Sequence, residues 1–274
     1  MVEKIDLIGK YEERLFPKMR QIIVDTGEQG LLRHHVKGLI ELDVTKGLEY
    51  IRNYKKKTGE TLSFTAWIMK CIGQAVSEHN EVHALRKGKK IIIFDDVDIS
   101  VMVERVVDEE NFPVVFVVRK VNEKSLREIH NEIRTAQAQT EDDYLQKKEA
   151  QRAKMLLSLP KFFRNLFFWR KIKKDPFFVK KYAGTVNVTS VGMFGKIGGW
   201  AIPISNYGLS FALGGIAKKP GVISDKIEIR EYLSMTIMFD HDVVDGAPAA
   251  RFVARLTELI ENAFGLAKMI GNFK

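Results

Sequence analysis

An α/β fold is predicted by three features of the sequence. Segments rich in apolar and β-branched residues, such as Val97 to Val103, Pro113 to Val118 and Leu233 to Phe239, have the length and composition of strands. Other segments repeat their apolar residues at helical spacing, as in Ser63 to Val76 and in Ala250, Phe252, Val253, Leu256, Leu259 and Ile260. The two kinds meet at Asp240 to Gly246, where a strand gives way to a helix opened by Gly246, Ala247 and Pro248.

Taken in order, Gly9 to Val24 has a helix-like pattern through Leu15, Met19, Ile22 and Ile23. His35 to Leu42 reads as a strand, followed by Asp43 as the expected N-cap of a basic helix through Lys57. Ser63 to Val76 is apolar enough for a buried helix, and Lys90 to Phe94 adds a strand before Val97. Ser125 to Gln139 reads as a helix. Ile202 to Ile204, Leu209 to Ile216 and Ile227 to Phe239 supply the later strands.

At 274 residues the chain has room for one large or two small domains, and 45% hydrophobic with 29% charged residues is the composition of a soluble globular protein. Cys71 stands alone, so no internal disulfide is expected and a reducing compartment is favoured. The first residues lack an apolar signal core, and no apolar run approaches membrane-spanning length. The cytoplasm is the expected location, with a peripheral membrane association left open. There is no Walker loop, no G-x-G-x-x-G and no G-x-S-x-G. Among the histidines away from position 241, only His79 and His83 share an i,i+4 spacing, and no third ligand accompanies them, so no metal is expected.

One segment stands out by charge. Residues 147–181 hold twelve Lys and Arg against two acids, a net +10, while the whole chain carries +9, so the remainder is close to neutral. The same stretch holds Phe162, Phe163, Phe167, Phe168, Trp169, Phe177 and Phe178, broken by Pro160 and Pro176. Cations interleaved with aromatics suit an anionic membrane surface, an acidic partner or, least of the three, nucleic acid. They equally suit a helical excursion that packs its rings within its own assembly and leaves its lysines in water.

The pattern richest in chemistry is H-x-x-x-D-G, His241 through Asp245 and Gly246. A histidine held at a strand end can act as a general base near neutral pH. A carboxylate four residues on can brace the turn, and a glycine lets the chain fold sharply. A six-residue pattern also fits a His and an Asp in an ordinary polar loop.

The wider context gives the pattern meaning. Asp240 to Arg251, DHDVVDGAPAAR, resembles the C-terminal motif of dihydrolipoamide acyltransferases, the catalytic cores of 2-oxoacid dehydrogenase complexes. It is similar at greater distance to chloramphenicol acetyltransferase, which usually has a second histidine where this chain has Asp240. HHVKGLIELDVTKGLEYI followed by LSFTAWIMKCIGQAV resembles the same family's strand, helix and second helix, and GTVNVTSVGMFGKIGG resembles its second signature.

The resemblance implies a single catalytic domain over residues 1–274, a two-layer α/β sandwich with a mixed sheet, assembling as a homotrimer. It also implies that residues 147–181 are an insert. Active sites would lie between subunits, with coenzyme A as a substrate entering one end of a channel and a dihydrolipoyl arm the other. His241 would deprotonate the attacking thiol, and Thr189, where the family has its transition-state serine, would donate to the oxyanion of the neighbouring chain's site. Asp245 would brace the loop, pairing with an N-terminal arginine for which Arg20 is the candidate. Arg52, Ser63, Gln137, Ser190 and Gly214 match coenzyme-contacting positions. Lys218 and Lys219 are available to phosphate, or sit at a solvated hairpin end.

Three departures accompany the resemblance. ENFPVVFVV replaces a Gly-Leu-x-x-Pro segment, the C-terminal ENAFGLAKMIGNFK differs from the usual ending where cage contacts are made, and the lipoyl and subunit-binding domains are not found, so no lipoyl group is expected on this chain. A lipoyl-domain protein would then act in trans, with assemblies larger than a trimer left open. Three functions follow from these features: a CoA-dependent acyltransferase with a dihydrolipoyl-type thiol acceptor, a catalytically idle trimeric scaffold, and a membrane-surface acyltransferase with another acceptor.

Overall fold

Side chains along the two longest strands alternate between an apolar side and a polar one, which is what a sheet covered by helices on one face requires. The computed structural model describes residues 8–17, 20–107, 110–138, 155–191, 198–267 and 269. Its elements are α1 (Arg20–Gly30), β1 (His35–Asp43), α2 (Thr45–Thr58), α3 (Phe64–Glu78), β2 (Leu85–Lys87), β3 (Lys90–Ile92), β4 (Ile99–Val107), β5 (Glu110–Val118) and α4 (Leu126–Ala138). Then come α5 (Lys161–Phe163), a π-helical turn (Arg164–Trp169), α6 (Arg170–Lys174), α7 (Pro176–Ala183), β6 (Val186–Ser190), β7 (Leu209–Ile223), β8 (Lys226–Asp240) and α8 (Gly246–Glu261).

Six strands form one mixed sheet in the order β1-β8-β7-β6-β4-β5, while β2 and β3 form a separate hairpin. The β4–β6 and β6–β7 pairs are parallel and the others antiparallel. Leu209, Phe211 and Leu213 of β7 and Leu233, Met235, Ile237 and Phe239 of β8 share one core with α3 and α8. The intervening Ser210, Ser234 and Thr236 therefore point to the opposite face, where they too are buried. Helix α3 is buried nearly all round, with Trp67, Ile68, Met69, Cys71, Ile72, Ala75 and Val76 fully enclosed. Its start is fixed by Ser63, whose hydroxyl accepts from Ala66 N at 3.2 Å.

Several expected boundaries move, each for a local reason. Residues 8–17 have no regular secondary structure, and the first helix among the described residues is Arg20–Gly30. Pro17 explains this, because proline restricts the residue before it and suits the entry to a helix, where Arg20 N donates to Pro17 O. Asp43 is not the N-cap of α2: that position is Val44, and Asp43, still in β1, lies one residue earlier with its carboxylate accepting from Thr45 N at 2.9 Å. Ile202 to Ile204 is not a strand: Pro203 cannot donate to a ladder. β7 does not stop near Ile216 but continues to a hairpin at Ser224 and Asp225, whose φ values of 47° and 63° are those of a tight primed turn. Lys218 and Lys219 are thereby mid-strand, opposite Glu231 and Arg230, and Lys219 pairs with Glu41.

The excursion between α4 and β6 is tied down by buried ion pairs. Arg164 bonds the Asp25 carboxylate of α1 through Nε at 2.7 Å and Nη2 at 3.1 Å, and Trp169 Nε1 approaches the same group at 3.5 Å. Residues five apart stand about 140° apart on an α-helix. The wider π turn brings Arg164 and Trp169 to one side, where both reach Asp25. Burial alone would raise the Asp25 pKa, but the hydrogen bonds and charge of Arg164 outweigh it and the carboxyl ends below its ordinary value. A second anchor is Asp98, which takes Lys180 at 2.9 Å, Arg119 at 3.0 Å and Lys120 N at 2.9 Å.

His83 is a core histidine. Nε2 meets Phe94 O at 2.9 Å and Nδ1 meets the Thr185 hydroxyl at 2.8 Å, so both nitrogens are committed to protein partners. Burial pushes its pKa down from 6.5 to about 4. A histidine with a folded pKa below its unfolded one contributes stability that is complete above pH 6.5 and lost as pH falls towards 4. The full effect is at most on the order of 3 kcal/mol. We expect the thermal midpoint to fall across that window, and to fall less steeply in His83→Gln, although that variant starts lower at neutral pH. Parallel slopes for the two proteins would assign the titration to other groups.

Candidate active site

The turn after β8 is assembled by backbone geometry rather than by glycine. Val243 N and Val244 N both donate to Asp240 O, at 3.1 and 3.0 Å, and close a tight turn around His241. Gly246 lies outside the left-handed region and opens α8 with free space around its Cα, so the sharp bend expected of it is made two residues earlier. His241 N donates to His34 O at 2.9 Å, which pins the loop to the residue preceding β1. Its side chain is 49% exposed, and Nδ1 stands 3.8 Å from Asp245 Oδ1, an electrostatic contact too long for a hydrogen bond.

Asp245 is 89% exposed, and among the described residues its ion-pair partner is His241. Arg20 does not pair with it. The arginine that braces the loop is Arg33, whose Nη1 donates to Asp240 Oδ2 at 2.6 Å, while Asp240 Oδ1 accepts from Asp242 N at 3.2 Å. His34 Nδ1 reaches Asp242 Oδ1 at 2.9 Å; that hydrogen bond, followed by the charge of Asp242, raises the His34 pKa. His35 Nε2 donates to Tyr207 O at 2.8 Å, and burial lowers its pKa. Arg33 and His34 thus hold the loop at Asp240, His241 and Asp242, while His35 fastens the adjoining segment at Tyr207. The sequence carries only a weak sign of it, a basic run directly before a strand. A cleft of about 360 Å³ lies beside the loop, walled by Arg33, Arg86, Trp169, Lys173, Asp240 and Asp242.

Thr189 and Ser190 end β6, opposite Ala212 and Leu213 of β7, and both are half-buried. Val186 and Val188 of the same strand face the core, so Thr189 belongs to the face away from the helices. The glycine-rich turn expected next includes residues 192–197, which lie outside the described residues. Within one chain Thr189 and His241 do not meet. Asp240 N bonds Gly208 O, four residues along β7 from Ala212, and β6 lies two strands from β8. At about 3.3 Å per residue and 4.8 Å per strand, the separation is about 16 Å.

The expected coenzyme positions are scattered. Ser63 spends its oxygen on the α3 cap, and its N–H donates to His130 Nδ1 at 3.0 Å. Arg52 forms a two-point pair with Glu231 at 2.7 and 2.8 Å. Gln137 is exposed on α4 and accepts from Arg134 at 3.1 Å. Gly214 does mark a close approach, but the visitor is this chain's own backbone: a Cβ there would sit 2.1 Å from Gly199 O. Gly215 N donates to that same oxygen at 3.0 Å, fixing residues 198–200 across the sheet.

The family model described as 2-oxoacid dehydrogenases acyltransferase (catalytic domain) matches residues 9–158 and 181–267. The chain belongs to that family. The unmatched interval between the two blocks contains α5, the π turn and α6. Among relatives of this acyltransferase family, the lipoamide acyltransferase component of the branched-chain alpha-keto acid dehydrogenase complex of Bacillus subtilis is 25% identical over 235 residues. That match covers 83% of this chain and 47% of the relative, so the chain spans about half the length of the curated protein. The dihydrolipoamide acetyltransferase of Azotobacter vinelandii superposes with a TM-score of 0.70 at 20% identity, over 97% of this chain and 99% of that one. A chloramphenicol acetyltransferase superposes with a TM-score of 0.50 at 11% identity, over 92% and 100%. The fold is the mixed-sheet, two-layer α/β sandwich of these acyltransferases.

Proposed function

We propose that the chain is a CoA-dependent acyltransferase that exchanges an acyl group between coenzyme A and a dihydrolipoyl-type thiol, with His241 as general base. The observation that carries this reading is a half-exposed imidazole fixed at a strand-to-helix junction in a member of this family. Spacing supports the partners. The Azotobacter protein was studied for the catalytic role of a serine, a histidine 52 residues on and an asparagine four beyond that, and Thr189, His241 and Asp245 keep both intervals.

In this reading His241 takes the proton of the attacking thiol and the thiolate adds to the thioester carbonyl. The hydroxyl of Thr189 donates to the resulting oxyanion, and collapse expels the other thiolate, which recovers the proton from His241. The intrachain separation of about 16 Å supports a site shared between subunits, since neither strand can slide to close it. The functional unit is then a homotrimer, and the acyl-bearing arm belongs to a lipoyl-domain partner in the same compartment, the cytoplasm. Asp245 acts on the imidazole through charge rather than a hydrogen bond, Arg33 and Asp240 set the loop, and the excursion at 147–181 is an insert in the catalytic domain. Arg52, Ser63, Gln137, Ser190 and Gly214 remain the candidate coenzyme-facing positions, of which Ser190 lies beside Thr189.

The deciding experiment supplies a panel of acyl-CoAs with free dihydrolipoamide and measures release of the CoA thiol. Saturable release with at least one acyl group is the expected result. Absence of release across the panel, from a protein that is folded and trimeric, would leave a scaffold in place of an enzyme.

A further inference from the structure

The rod formed by α5, the π turn and α6 presents a surface that acyl transfer does not use. Its inner side holds Arg164 and Trp169 against Asp25. On the outer side Phe162, Phe163, Leu166 and Phe167 stand 69%, 44%, 38% and 63% exposed. The rings make one patch: Phe162 lies edge-on to Phe163 at 5.5 Å, and Phe163 stacks parallel on Phe167 at 6.3 Å. One turn further along come Arg170, Lys171 and Lys174, all exposed. An apolar patch of this kind, continuous with a cluster of cations and held on a rigid mount, marks a surface that something covers.

We propose that this face docks the protein on an anionic membrane surface. Charge selects the occupant. Residues 147–181 carry a net +10 in a chain of +9, so a second copy offers a nearly neutral body and the same basic stripe, with no complementary charge. Arg164, Lys180 and Lys161 pair with Asp25, Asp98 and Glu28. Arg170, Lys171, Lys173 and Lys174 make no ion pair among the described residues; Lys173 and Lys174 also border the cleft beside the His241 loop, and Lys171 Nζ lies 4.7 Å over the Phe178 ring, which leaves Arg170 and Lys171 as the cations nearest the exposed rings. Rings at the headgroup boundary with lysines and arginines beside them is the arrangement of an amphipathic helix lying in the plane of a bilayer. No helix among the described residues is long and apolar enough to cross one. Because the buried pair to α1 fixes the rod in advance, docking needs no folding of the segment on contact.

The test is co-sedimentation of the whole chain with vesicles of equal parts phosphatidylglycerol and phosphatidylcholine, against vesicles of phosphatidylcholine alone. Binding is expected only to the anionic vesicles and is expected to weaken with added salt. The variant Phe162→Ser, Phe163→Ser, Phe167→Ser should bind at least tenfold more weakly, and so should Arg170→Glu, Lys171→Glu, which spares the rings. Both should keep the oligomeric mass, thermal midpoint and thiol-release rate of the parent. Failure of the parent to sediment with anionic lipid, or binding by both variants as tight as the parent's, overturns the proposal. A fall in oligomeric mass in the serine variant without lipid also overturns it, by identifying the patch as a contact between copies.

Discussion

His241→Ala is expected to lower thiol acyl transfer by a hundredfold or more, the scale of losing a positioned general base. The loop should survive the change. Its shape rests on the hydrogen bonds to Asp240 O, on His241 N bonding His34 O and on the Arg33–Asp240 ion pair, none of which uses the imidazole. The thermal midpoint should therefore stay within a degree or two of the parent, while turnover of the best acyl-CoA collapses. Near-normal turnover in the alanine variant would remove His241 from the mechanism.

Thr189→Val is expected to cost between a hundred- and a thousandfold in kcat, the range found for removing one oxyanion donor. Valine keeps the branched shape of threonine, so the strand and its pairing with β7 should be undisturbed. A mixing experiment then distinguishes a shared site from a site within one chain. Equal amounts of His241→Ala and Thr189→Val protein, unfolded and refolded together, give mixed trimers in which about one quarter of shared sites combine a good histidine with a good threonine. Activity should return to about that fraction of the parent level. If both residues served one site within a chain, every site would keep one defect and nothing would return.

Much of the arrangement around His241 could be read from the sequence because its parts are contiguous. The strand ending at Asp240, the turn and the helix from Gly246 follow one another within the span of local propensity. The helix beginning at Ser63 was likewise legible, since its apolar run is local. Relations that depend on tertiary pairing were not. Arg33 meets Asp240 only because β1 pairs with β8, the two ends of that ion pair being 207 positions apart, and nothing near Arg33 singles it out over Arg20. The roles of Gly246 and Gly214 also resisted local reading, because a glycine signals freedom without saying what uses it. One proved to sit in open space and the other to admit the Gly199 carbonyl. Ile202 to Ile204 has the composition of a strand, yet Pro203 leaves it without a ladder donor and it pairs with none of the described strands.

The pairing of β1 with β8 has a consequence for how the protein is made. β1 emerges from the ribosome well before β8, the partner encoded far along the chain. At common elongation rates the interval is about ten to forty seconds. During that wait one edge of the nascent sheet lies bare, and the anchor for the His241 turn does not yet exist. Chains released before the last strand would then carry a complete α2 and α3 but an unformed reaction centre, so translation itself keeps interrupted products silent.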